Sequence, residues 1–324
     1  MILNNSVLLL FPLLIVSFHN AVAAPFSTIV IDLNINDATA VHAETFLVLP
    51  AFNPDWDSDD SSLCIETSHA LHPSIVYKAD SLWGYQYWMA YTPFCISESD
   101  ENPHLAVSND GLNWQEFISE SDTLQNPIID YHYFNATHLS DPDLFYCVDE
   151  ILYLIYRVSW EIAGKDIHSI YLSQTSNGIN WSNPIVILSD SLLEQDNISS
   201  FTSPSIEINN DSTYTIFIVE PRANGTTYLD SSRVIRYNSS KIDSGWAFGD
   251  TCYFPSSNDS MKIWHQEILR LDEYKLIAFV TEAPNAGLNF GDSSELFLSI
   301  SYDNGGSWNT NPEPILSWFP DTSS

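Results

Sequence analysis

The sequence predicts an all-β chain folded as a β-propeller of five four-stranded blades. Three observations support this: a group of strands recurs about every 60 to 70 residues, a turn ending in tryptophan closes three of the repeats, and no comparable stretch carries a 3.6-residue apolar period. Composition agrees. Hydrophobic residues make up 44% of the 324, enough for a large core, and the 13% aromatic share, with 10 Trp and 16 Tyr, favours strands over helices.

In chain order, Val7 to Phe18 form an apolar run of signal-peptide length, and Ala21-Val22-Ala23 supplies a small-residue cleavage pattern. Residues 1–23 are therefore expected to direct export, leaving 24–324 as a single secreted propeller domain. No later run approaches the length of a membrane span, so no membrane anchor is expected after cleavage. One blade is expected from residues 26–66, alone or closed by the tail after Leu316, with strands at Thr28 to Asn34 and Glu44 to Leu49 but no tryptophan turn.

The other four blades repeat clearly. Their inner strands begin His72-Pro73-Ser74, Asp141-Pro142-Asp143, Ser203-Pro204-Ser205 and His265-Gln266-Glu267. A more aromatic second strand follows each, at Tyr85 to Tyr91, Ile151 to Val158, Thr213 to Glu220 and Tyr274 to Thr281. Third strands come after a loop, at His104 to Ser108, Ser169 to Ser173, Arg233 to Tyr237 and Glu295 to Ser301. Three turns then end in tryptophan: Ser108 to Trp114, Thr175 to Trp181 and Ser301 to Trp308. Their Asn-Gly and Asp-Gly pairs suit the positive φ angles of tight turns. The third repeat reaches Trp246 by another route.

The turn from Ser301 to Trp308 resembles the Asp-box of sialidases, Ser-x-Asp-x-Gly-x-x-Trp. The two shorter turns, with the Asp141-Pro142 strand opening, are similar to those of arabinanase- and xylosidase-like five-bladed propeller glycoside hydrolases. The resemblance implies a sugar-binding pocket around the central channel, on the rim where inner strands begin, and a carbohydrate as substrate or ligand.

That rim collects His72, Asp141 and His265 from inner-strand starts, Arg157, Glu220 and Arg222 from second-strand ends, and Glu101 from a loop before a third strand. Glycoside hydrolysis needs one protonated and one ionised carboxyl group flanking the scissile bond. The resemblance implies carboxylates at three successive inner-strand starts. Asp141 fits the middle place, but His72 stands at the base position and Ser203 at the acid position. The expected catalytic set is therefore Asp141, Glu220 and His72, with His265, Arg157, Glu101, Arg222 and Trp88 binding substrate. Each has a structural alternative: Asp141 as a turn cap before proline, Glu220 in a local ion pair, Trp88 in the core. A glycosidase with altered catalytic groups is the first functional reading, and a non-catalytic glycan-binding propeller the second.

Charge narrows the partners. With 42 acidic and 10 basic residues the net charge is −32, which repels nucleic acid and anionic membranes. Spread along the whole chain, with five lysines, the acidity reads first as adaptation to high salt. The run Asp55-Trp56-Asp57-Ser58-Asp59-Asp60 reads as a solvated loop before it reads as a calcium site. No other cofactor is expected, and no metal at the rim, because His72, His265 and a rim carboxylate lack the close spacing of a metal motif. Cys64 and Cys95 flank one blade and are expected to pair, whereas Cys147 and Cys252 pair or stay free.

Overall fold

Successive repeats fold into antiparallel sheets, and a computed structural model describes residues 10–11, 28–34, 37–43, 69–94, 101–118, 124, 126–147, 150–189, 201–223, 229–284 and 294–315. Near the amino terminus, β1 (Leu10–Phe11), β2 (Thr28–Asn34) and β3 (Asp37–Ala43) form a small sheet. The first full blade comprises β4 (His69–Leu82), β5 (Tyr85–Phe94) and β6 (His104–Ser108), extended by a bridge from Val107 to Gln115. The second contains β7 (His138–Tyr146), β8 (Leu152–Ile162), β9 (Lys165–Thr175) and β10 (Ile185–Leu188). The third contains β11 (Thr202–Ile208), β12 (Tyr214–Ala223), β13 (Leu229–Ser239) and β14 (Ala247–Cys252). The fourth contains β15 (Met261–Arg270), β16 (Leu276–Pro284), β17 (Glu295–Ser301) and β18 (Asn309–Thr310).

The chain is thus an all-β propeller, as its repeat predicts. Among the described residues it has four blades where five were expected. Of residues 26–66 only the β2–β3 hairpin is described; the expected strand Glu44 to Leu49, the Asp55–Asp60 run and Cys64 lie outside the described residues, as does Cys95. Cys147 and Cys252 are buried and are not joined to each other. No described helix is long and apolar enough to cross a membrane.

Strand alternation places one apolar row on each side of a blade, so the core lies between blades. Trp88, Leu105 and Val107 of the first blade pack on Leu144, Leu154 and Tyr156 of the second. Ile155 and Leu172 of the second meet Ile206, Ile216 and Ile218 of the third. Phe217, Val219 and Val234 of the third meet Ile268, Ala278 and Val280 of the fourth.

The first and last tryptophan turns share one wiring, which the second follows except at Trp181, whose ring N–H has no hydrogen-bond partner among the described residues. In the first, Gly111 N–H donates to Ser108 Oγ at 2.9 Å, and Asp110 Oδ1 accepts from the N–H groups of Leu112 and Asn113 at 2.8 and 2.7 Å. The Trp114 ring N–H closes the turn on the Gly111 carbonyl at 3.1 Å. Ser301, Asp303, Gly305 and Trp308 repeat the pattern. A turn glycine also touches the preceding blade. A Cβ on Gly178 would lie 2.6 Å from Phe117, and one on Gly305 would lie 2.6 Å from Phe217.

Along the axis, equivalent residues of the inner strands tie each blade to the next. Ser74 Oγ accepts from Leu144 N–H at 3.0 Å, Asp143 Oδ2 from Ile206 N–H at 2.6 Å, and Ser205 Oγ from Ile268 N–H at 3.1 Å. Glu267, the fourth member, reaches Ser74 Oγ at 3.1 Å and closes the ring.

Candidate functional site

The site is built two residues before that ring on each inner strand. His72, Asp141 and Ser203 have φ of 49°, 52° and 51°, a left-handed conformation uncommon outside glycine. Each precedes a proline and sits in a break of the strand register, between Leu71 and Ser74, Ser140 and Asp143, and Thr202 and Ser205. Such bulges re-aim a side chain, here toward the axis. β15 has its own break, between Ile263 and His265. It carries Gln266 where the others carry proline, and proline has no N–H to give. That N–H donates to Ser203 Oγ at 2.9 Å, while Ser203 Oγ donates to the Gln266 carbonyl at 2.6 Å. Ser203 therefore joins two blades, which accounts for the missing carboxylate at its position.

His72, Asp141 and His265 converge. His72 Nδ1 lies 3.2 Å and His265 Nδ1 lies 3.5 Å from Asp141 Oδ1, and the two imidazole Nε2 atoms are 3.2 Å apart. Arg157 Nε lies 2.8 Å from the other oxygen, Asp141 Oδ2. Arg157 also donates to Ser140 Oγ through Nε at 3.1 Å and Nη2 at 2.8 Å, and through Nη1 to the Phe201 carbonyl at 2.9 Å. The three converging residues line an open cavity with about 630 Å³ of empty space, walled by Pro73, Pro142, Pro204, Phe279 and Leu296, with Glu267 among its polar groups.

Electrostatics fix the protonation states. Burial alone would raise the Asp141 carboxyl, but the Arg157 charge foremost, with the Ser203 N–H, outweighs it and holds the group well below the usual carboxylate range. Burial lowers His72, opposed by Asp141 and assisted by Arg157. Burial and the neighbouring His72 push His265 lower still. Two neutral imidazoles thus face one ionised carboxylate.

Such a set suits a metal ion. One donor atom from each of His72, Asp141 and His265 can be chosen with all three within 4.8 Å of one another. Asp141 Oδ1 and His265 Nδ1 are buried without a hydrogen-bond partner. Two ligands about 2.0–2.1 Å from a tetrahedral ion are about 3.3–3.4 Å apart. The Nδ1 atoms of His72 and His265 stand close to that separation from Asp141 Oδ1, at 3.2 and 3.5 Å, while the short contact between the two imidazoles is through their Nε2 atoms. The expectation of no rim metal rested on sequence spacing; these donors come from three different blades, so linear spacing carries no signal.

Other expected site residues stand elsewhere. Trp88 is fully buried, packed against Phe117 at 4.6 Å between ring centres and donating to the Leu82 carbonyl at 3.2 Å; it is core and not a sugar platform. Glu220 is 1% exposed, is paired with Arg233 on the adjacent strand, and is not part of the cavity lining. Glu101 is buried outside the cavity lining, where its carbonyl accepts from Leu139 N–H at 2.9 Å. Arg222 lies on β12 with its side chain outside the described residues. Arg157 reaches the site but gives its N–H groups to Ser140 and Phe201 and its charge to Asp141, so it supports the site instead of presenting itself to substrate. Sequence reasoning missed Glu267, although it occupies the same repeat position as Asp143.

No protein-family profile matches the chain. A solved thermostable family-43 glycoside hydrolase superposes with a TM-score of 0.53 at 15% identity, over 93% of this chain and 88% of that one. The chain has the fold of the propeller glycoside hydrolases. A second solved structure, an N-acetylgalactosamine deacetylase from F. plautii in complex with blood group B trisaccharide, superposes on this propeller with a TM-score of 0.68 at 19% identity, over 87% of this chain and 77% of the other. The curated A type blood N-acetyl-alpha-D-galactosamine deacetylase of Flavonifractor plautii is 25% identical over 292 residues, 80% of this chain. The propeller chain spans 37% of that relative's length.

Proposed function

We propose that this propeller is a carbohydrate amide hydrolase that removes the acetyl group from an N-acetylated amino sugar, using a divalent cation held by His72, Asp141 and His265. The observation that carries the reading is the convergence of two neutral imidazoles on one unpartnered carboxylate oxygen in an open cavity. The related deacetylase supports the substrate class, and the trisaccharide bound by the solved deacetylase supports a carbohydrate ligand. A bound cation would polarise the amide carbonyl and lower the pKa of a water molecule. The protein's part is to keep both histidines unprotonated and Asp141 ionised, and to orient these donors toward the cavity. Water adds to the acetyl carbonyl, the C–N bond breaks, and acetate and the free amino sugar leave.

One observation favours the glycosidase reading instead. Glu267 lines the same cavity, and burial among Asp143 and Glu207 raises it well above the usual carboxylate value, as a proton donor requires. The deciding experiment incubates the protein with N-acetylgalactosamine- and N-acetylglucosamine-terminated glycans and a panel of aryl glycosides, with zinc, manganese or a chelator. Acetate release that chelation and His265→Ala abolish supports the deacetylase. Aryl release without acetate supports the glycosidase. Binding of glycans with neither product supports the non-catalytic alternative.

A further inference from the structure

We infer that Arg157 is a positioning residue that makes Asp141 a one-oxygen ligand and so keeps a coordination position open toward the cavity. The inference rests on the cation site of the proposed function and deepens it.

The two oxygens of Asp141 have different environments. Oδ2 lies 2.8 Å from Arg157 Nε, with Ser140 Oγ also approaching at 3.4 Å. Oδ1 faces His72 and His265 and finds no hydrogen-bond partner. A carboxylate free to rotate can offer both oxygens to one cation, filling a position that water or substrate would otherwise take. With Oδ2 committed to a guanidinium, only Oδ1 is available. The ion then has three protein donors, the number typical of catalytic rather than closed structural sites.

Arg157 is itself held firmly. It stands on β8, pairs across the sheet with Ser140 on β7, and crosses to the third blade through the Phe201 carbonyl. Three anchors fix the guanidinium plane, so the Asp141 plane is fixed in turn. Lysine offers one charge and no rigid fork, and would hold the charge without holding the orientation. Partners of this kind around a metal ligand typically change affinity by about 10–100-fold when removed.

The test uses the full chain freed of metal by chelation, with zinc titrated calorimetrically and cobalt(II) followed by its visible absorption. Wild type should bind one ion with the intense bands of a low-coordinate site. Arg157→Ala should bind about 10–100-fold more weakly and give weaker bands, as Asp141 turns to offer both oxygens. Methylguanidinium in solution should restore intensity to Arg157→Ala, a response that loss of folding would not give. Ser140→Ala removes one anchor of Arg157 without stranding a charge. It should shift the cobalt spectrum in the same direction, which keeps the test decisive if Arg157→Ala does not fold. Unchanged affinity and spectrum in folded Arg157→Ala or Ser140→Ala overturn the inference, as does wild type that binds no divalent ion. If the cobalt results hold but no N-acetylated sugar yields acetate, the deacetylase reading falls and the role of Arg157 stands.

Discussion

Ser74 Oγ lies 2.8 Å from Asp143 Oδ1 and 3.1 Å from Glu267 Oε1, and it also accepts the Leu144 N–H. A serine hydroxyl has one hydrogen to give. It satisfies two carboxyl groups only when one of them is protonated and donates back. Burial agrees, pushing Asp143 up to about 7 and Glu267 well above its usual value. Ser74→Ala should therefore take a shared partner from two buried carboxyl groups, of which Asp143 keeps its Ile206 N–H, destabilising the fold by about 1–3 kcal/mol. Urea unfolding measures this; an unchanged midpoint would show that water replaces the hydroxyl.

The turn glycines predict a graded series. Gly178 and Gly305 have φ of 76° and 81°, and an added Cβ would meet Phe117 and Phe217 at 2.6 Å. Gly164 has a similar φ of 75° with nothing within 4 Å. Gly164→Ala should cost about 1–2 kcal/mol from backbone strain alone. Gly178→Ala and Gly305→Ala should cost about 1–3 kcal/mol beyond that from overpacking. Thermal melts of the three variants give the order directly.

Stability should peak near pH 6.5 and fall on both sides. Burial lowers His104 and His138 to about 4 and His168 to about 3, so below 6.5 the unfolded chain binds more protons and acid destabilises. Burial raises Asp143 to about 7 and Glu207 to about 8, the latter opposed by Arg270. Between their unfolded and folded values the folded state binds more protons, so stability falls as pH rises. Above 6.5 the histidine contribution is exhausted and the decline shows alone. Glu207→Gln should flatten that upper arm in chelated protein; an arm of unchanged slope would remove Glu207 from the account.

The net charge of −32 predicts salt dependence. Like charges across the surface repel, and added salt screens them within about 10 Å at 0.1 M. The melting midpoint should rise from low to molar potassium chloride. A flat or falling midpoint would show that the ion pairs, such as Arg236 with Asp250, matter more than the bulk field.

The repeat was legible because each blade restates one pattern of turn and strand, and its phase was enough to bring His72, Asp141 and His265 to one rim. Partner choice was less legible. Glu220 pairs with Arg233 because pairing across β12 and β13 sets neighbours that linear order does not show. Trp88 reads the same in sequence whether it faces a sugar or Phe117. Two positions were readable and overlooked: Gln266 in a place otherwise held by proline, and Glu267 in the place of Asp143.

His72 and His265 are 193 residues apart in the chain and touch at the axis. Closing a segment of that length costs the unfolded chain about 5 kcal/mol of entropy by the logarithmic law, apart from a constant. A cation gripping both imidazoles would act as a buckle between the first and last described blades. Whatever its chemistry, its binding free energy would be added to the cohesion of the whole ring. Loading the site should therefore raise the melting temperature of the third blade too, which never touches the ion.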